Sequence, residues 1–168
     1  MKITVVFSDR KEKALLTELI KWEEKTNYSH VSIMFEDSYI YEAVYPYFRR
    51  IHVNEWLKYN AIIKTITFDV PLFDYNNAHA KAMSLLGTKY SFAQLGLIYI
   101  ENSFKRVLCP IGDKFESIKL NNNRRLICTE SDLVILKEIG LKYKGSRDTI
   151  SLNDFDSIVS KFKEEKYK

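Results

Sequence analysis

The sequence predicts an α+β domain in which an antiparallel sheet packs against helices. Strand-like period-two patterns gather in the middle of the chain, and helical patterns stand before and after them. No internal repeat and no alternating βαβ unit is visible. The 168 residues are 46% hydrophobic and 29% charged, which suits a folded chain able to bury roughly 70% of its unfolded surface in one core. A single domain over 1–168 is expected.

Met1-Lys2-Ile3-Thr4-Val5-Val6-Phe7 reads as a strand and lacks the apolar run and small-residue cleavage site of a signal peptide. Residues 12–25 carry Leu15, Leu16, Leu19, Ile20 and Trp22 at helical spacing with charges on the opposite face, the pattern of an amphipathic helix. At Tyr28 the period becomes two. Residues 29–35 and 39–45 flank an acidic turn at Glu36-Asp37 and form an antiparallel hairpin. Strands over 49–53 and 61–70 follow, separated by a short helical piece around Glu55-Trp56-Leu57.

Residues 74–86 read as a helix closed by Gly87, and 92–104 as another after a Thr88-Lys89-Tyr90-Ser91 break. Residues 105–125 hold no period, and a patternless stretch of that length is either a functional lid or structure that its pattern does not reveal; Asn121-Asn122-Asn123 marks a turn at its end. Strand-like Leu126-Ile127 then hands over to a helix opened by Cys128-Thr129-Glu130-Ser131-Asp132. That helix runs through Leu133, Leu136 and Ile139 to Gly140, which suits the position just past a helix end. Ser151 caps the last helix, which continues into a Lys/Glu tail.

Lys+Arg 26 against Asp+Glu 22 gives a formal charge of +4 with the signs interspersed, weak support for a nucleic-acid partner. Cys109 and Cys128 are too few for a secreted disulfide framework, so reduced thiols are expected, with one disulfide left open. No apolar run reaches the ~18 residues of a membrane span, and a cytoplasmic protein is expected. Abundant Lys, Asn, Ile and Tyr, with AT-rich codons, point to a low-GC bacterium or a virus infecting one.

His52 beside Arg49 and Arg50 reads as a strand-edge polar residue, His79 as a boundary histidine on its helix, and Cys109 before Pro110 as structural or incidental. Neither these nor His30 and Cys128 supply a close ligand pair, so no metal and no cofactor is expected. Tyr39, Tyr41, Tyr45 and Tyr47 alternate along one side of a strand next to Arg49 and Arg50. Such a stripe can stack bases or carbohydrate, but more often it is half-buried sheet surface.

Chemistry concentrates at Cys128. A cysteine opening a helix faces unpaired N–H groups and the positive dipole end, which can lower a thiol pKa from ~8.5 to ~3.5–7.5; a lone cysteine is more often a small buried hydrophobe. A base and an orienting group are therefore required, and His30 and Glu42 lie on the two hairpin arms. With Met34 opposite Ser38 they are directly opposed, and with Phe35 opposite Tyr39 they are diagonal neighbours on one face. A two-residue turn would set them on opposite faces. On one face, Glu42 can accept from one imidazole nitrogen while the other meets Cys128, the nucleophile–base–orienter arrangement of thiol acyl transfer.

Tyr28-Ser29-His30-Val31-Ser32-Ile33, then Tyr41-Glu42-Ala43, then Cys128-Thr129-Glu130 resemble the circularly permuted NlpC-type papain-like group, which includes YiiX-like amidases and lecithin:retinol acyltransferase-like enzymes. In that group His precedes a polar residue on the next strand and Cys comes late in the chain. Gly87-Thr88-Lys89-Tyr90 resembles the Gly-x-x-Tyr lying between these elements. The resemblance spans about 28–135, with Ser32 where many relatives have glycine and no counterpart for 105–125. It implies a permuted papain-like fold, nucleophile Cys128, base His30 and orienter Glu42. Tyr90 is then a substrate or transition-state contact, and Thr129, at the helix start, an oxyanion contact. The implied reaction is hydrolysis or acyl transfer at an amide or ester, on a peptide, a peptidoglycan-type amide or a lipid ester. The alternatives are an inactive binding or virion-associated module of the same fold and a nucleic-acid-binding accessory protein.

Overall fold

The computed structural model describes residues 1–91, 125–143 and 150–167. The expectations for a helix over 92–104, for 105–125 up to residue 124, for the asparagine turn at 121–123 and for the role of Cys109 lie outside the described residues. Within them a seven-stranded sheet has the order β5-β1-β2-β3-β4-β6-β7. The strands are β1 (Lys2–Arg10), β2 (His30–Phe35), β3 (Tyr39–Val44), β4 (Tyr47–His52), β5 (Asn60–Asp69), β6 (Lys89–Tyr90) and β7 (Arg125–Leu126). Every pairing is antiparallel except β6 with β7. The helices are α1 (Leu15–Glu24), α2 (Val53–Trp56), α3 (Leu72–Ser84), α4 (Cys128–Leu136) and α5 (Leu152–Lys166). The predicted α+β class is thus what the chain adopts.

Ile33 pairs with Tyr41 and Met34 with Ile40, the register that continues to Phe35 opposite Tyr39. The connecting loop is 36–38, closed by a Ser38 N–H donating to the Phe35 carbonyl (3.3 Å) with Ser38 at φ 63°. A left-handed third residue is the usual geometry of a three-residue hairpin loop. His30 and Glu42 therefore share a face as diagonal neighbours. On the alternate face Val31, Ile33, Phe35, Tyr41 and Ala43 join the main core with Ala78 and Ala82 of α3, Leu133 and Leu136 of α4, and Phe155 of α5. Val6, Ile40 and Trp56 form a second cluster, so α2 covers part of the face that carries His30 and Glu42.

Two elements differ from expectation. The strand placed at 49–53 begins at Tyr47 and ends at His52, whose imidazole also accepts from the Asn54 N–H (3.2 Å) and caps α2. The outward face of α1 carries Leu15, Leu19 and Trp22, while Glu23 and Glu24 are buried. Tertiary partners, here Ser151 and Asn153 at the start of α5 hydrogen-bonding Glu24, override the simple inside-apolar rule.

Candidate active site

Local sequence dictates where each group sits. Ile127 is extended (φ −104°, ψ 168°), and its carbonyl accepts from the Ser131 N–H (3.0 Å), so α4 starts at Cys128 and leaves its first N–H groups without intrahelical partners. His30 is the first residue of β2. Parallel pairing of Tyr90 with Leu126 brings Tyr90 beside the strand that feeds α4. One cleft is lined by His30, Tyr90, Cys128 and Thr129, together with Glu24 and Ser151 among others. Four of the five residues singled out from sequence thus converge on one cavity.

Glu42 lies behind the cleft with its side chain 2% exposed. Its Oε2 is 3.0 Å from His30 Nε2 and accepts from Trp56 Nε1 at 3.0 Å. Its Oε1 accepts from Arg49 Nε (2.8 Å) and Nη2 (2.6 Å). Burial pushes the carboxyl up, yet the His30 bond and charge, Arg49 and the Trp56 bond outweigh it and hold the pKa at about 2. With Nε2 engaged, Nδ1 is the nitrogen left for the Cys128 side chain. Burial pulls the imidazole down, but hydrogen bonding and charge from Cys128 and Glu42 dominate and raise it to about 10. The ring thus lies between the Cys128 side chain and the Glu42 carboxylate, and both favour its protonated form.

Thr129 lines the cleft, but its hydroxyl donates to the Ile150 carbonyl (3.2 Å) and ties α4 to the segment before α5. Cys128 is the free thiol among the described residues and is 7% exposed. His79 is a half-buried boundary histidine, 2.9 Å from the Tyr41 hydroxyl, 3.3 Å from Asp37 and stacked on Tyr75. The tyrosine stripe is divided. Tyr39 and Tyr41 take the Arg50 guanidinium at 3.6 and 5.8 Å from their ring centres, Tyr45 lies beyond the end of β3, and Tyr47 opens β4.

Sequence reasoning missed Arg49, Trp56 and Asp132. Arg49 is directly opposite Glu42 in the β3–β4 register, so an opposite-charge cross-strand pair was the available signal. Asp132 lies one turn beyond Cys128 and is fully buried; burial drives its carboxyl well above the usual range against the pull of the His30 charge. Among the described residues its Oδ2 has no hydrogen-bond partner. No group of three or more His, Cys, Asp or Glu side chains is placed to hold a metal among the described residues.

No family model matches the chain, and no curated protein matches it. Among solved structures it is similar to the metalloprotein YiiX from Escherichia coli O157:H7, with a TM-score of 0.56 and 15% identity over 85% of this chain and 68% of that one. The α+β fold is therefore shared with YiiX. At 15% identity the likeness shows the fold alone.

Proposed function

We propose that the chain is a papain-like cysteine hydrolase or acyltransferase acting on an amide or ester through Cys128, His30 and Glu42. The observation that carries this reading is one imidazole bonded to the buried Glu42 carboxylate and influenced by the Cys128 side chain in a shared cleft. The Cys128 thiolate adds to the substrate carbonyl carbon, and the charge moves to the carbonyl oxygen. The N–H groups of Cys128 and Thr129 face that oxygen, at ~3–4 kcal/mol per donor. Collapse of the adduct expels an amine or alkoxide, which takes the proton from imidazolium Nδ1, and a thioester remains. Neutral His30 then removes a proton from water, or from another acyl acceptor, to release the acyl group and regenerate the pair. Glu42 holds the ring throughout and favours its charged form.

Iodoacetamide alkylation followed by mass mapping tests the pair. Cys128 is expected to react before Cys109 and to keep reacting well below pH 8.5, the range of a free thiol. His30→Ala should move the onset upward, and Glu42→Gln should move it less. Onset only near pH 8.5, indifferent to both substitutions, would show that the three residues do not act together. Turnover is read on an anilide and a phenyl ester of one acyl group, and reactive Cys128 without turnover on either would favour a binding module of this fold.

A further inference from the structure

We propose that α1 docks the protein on an anionic lipid surface. Leu15, Leu19 and Trp22 are 90, 47 and 69% exposed, whereas Glu23 and Glu24 of the same helix are 5 and 8% exposed. Spaced at i, i+4 and i+7, the three apolar side chains form one ridge over two turns. An ordinary surface helix turns such a stripe to the core. Single exposed leucines need no explanation, but a contiguous apolar ridge with a polar rim marks an interaction surface.

The rim says what kind of surface. Arg10, Lys11 and Lys13 before the helix and Lys25 after it are exposed, against the exposed acids Glu12 and Glu18. Lys21 is paired with Asp9 and Glu18, at 2.6 and 2.7 Å. A Leu/Trp ridge bordered by an excess of Lys and Arg is the composition that settles at the boundary of headgroups and acyl chains, where each basic group adds attraction to anionic lipid. No helix among the described residues is long and apolar enough to cross a membrane. The other side of α1 supplies Ile20 and Glu24 to the cleft that holds Cys128. Docking would thus set the cleft beside the lipid surface, and it stands whether or not Cys128 is reactive.

The full chain carries its own reporter, because Trp22 is exposed and Trp56 is fully buried. With vesicles of phosphatidylcholine containing phosphatidylglycerol, the protein should co-sediment and its tryptophan emission should move to the blue, both effects weakening with added salt. Trp22→Phe should abolish the shift while leaving the Trp56 emission. Leu15→Gln with Leu19→Gln should weaken binding about tenfold or more with the circular dichroism spectrum unchanged. Four results would overturn the proposal: no binding by folded protein; equal binding to pure phosphatidylcholine; Trp22 emission already blue in buffer, which means the ridge is covered; or ridge-dependent dimerisation without vesicle binding.

Discussion

Glu42 shows how a buried carboxylate is kept charged. Four donor contacts from His30, Trp56 and Arg49 offset its loss of water, and removing one exposes part of that cost. Trp56→Phe keeps most of the packing in the small Val6–Ile40 cluster but deletes a bond to a charged acceptor, so it should destabilise the fold by roughly 1.5–3 kcal/mol in urea unfolding. Asp132 is the opposite case. Its neighbour Ser131 Oγ is 3.4 Å from Oδ1, and its raised carboxyl binds a proton that the unfolded chain gives up near pH 3.9. Above that pH its burial costs stability. Asp132→Asn, which has the same shape and no charge, should therefore stabilise the protein at pH 7 more than at pH 4, as read from paired urea midpoints. Equal effects at both pH values would mean that the Asp132 carboxyl titrates normally.

The segment from α4 to α5 has the sharpest local rules. After α4 a 3₁₀ turn, Lys137–Ile139, ends at Gly140 with φ 95°, and a Cβ there would lie 2.6 Å from Lys166 Nζ, which itself donates to the Ile139 carbonyl. Gly140→Ala should cost about 1–2 kcal/mol for the left-handed backbone alone, read as a lower Tm. The Ser151 hydroxyl accepts from the Asp154 N–H at 3.0 Å, so Ser151→Ala should cost about 1 kcal/mol. Both signals stand in the sequence because they are local. The hairpin was readable too, since alternation and an acidic turn confine it to a few registers. Three features were not. The outward ridge of α1 depends on what α5 offers Glu24. The two-residue strands β6 and β7 are too short to show a period. The Arg49 and Trp56 bonds to Glu42 need a β3–β4 register and an α2 position that no single segment specifies.

These buried charges together shape the pH dependence of stability, and each sign can be worked out separately. Glu42 titrates near 2 in the folded chain against about 4.5 ordinarily, so its contribution is present above pH 4.5 and lost as pH falls through 2. Asp9 and Asp156 are also lowered: their burial opposes ionisation, but bonds to Lys21 and Ser29, and to Lys64 and Tyr28, outweigh it. They add to the same acid limb. His30 titrates near 10 against 6.5; its contribution is complete below 6.5 and is lost as pH rises through 10. The pair thus stabilises most between the two ordinary values, while the Asp132 penalty grows with pH across that window until its raised folded-state value is passed. Urea unfolding of wild type and His30→Ala from pH 5 to pH 10 reads the alkaline limb, because groups remote from His30 titrate alike in both and cancel in the difference, while Glu42 and Asp132, which feel its charge, shift with it. The stability gap should be widest at pH 5–6.5 and shrink steadily towards pH 10. A gap that stays constant would mean that the imidazole titrates in the folded protein as it does in the unfolded chain, and one that widens with pH that it is held neutral; either would remove the charged pair on which the proposed chemistry depends.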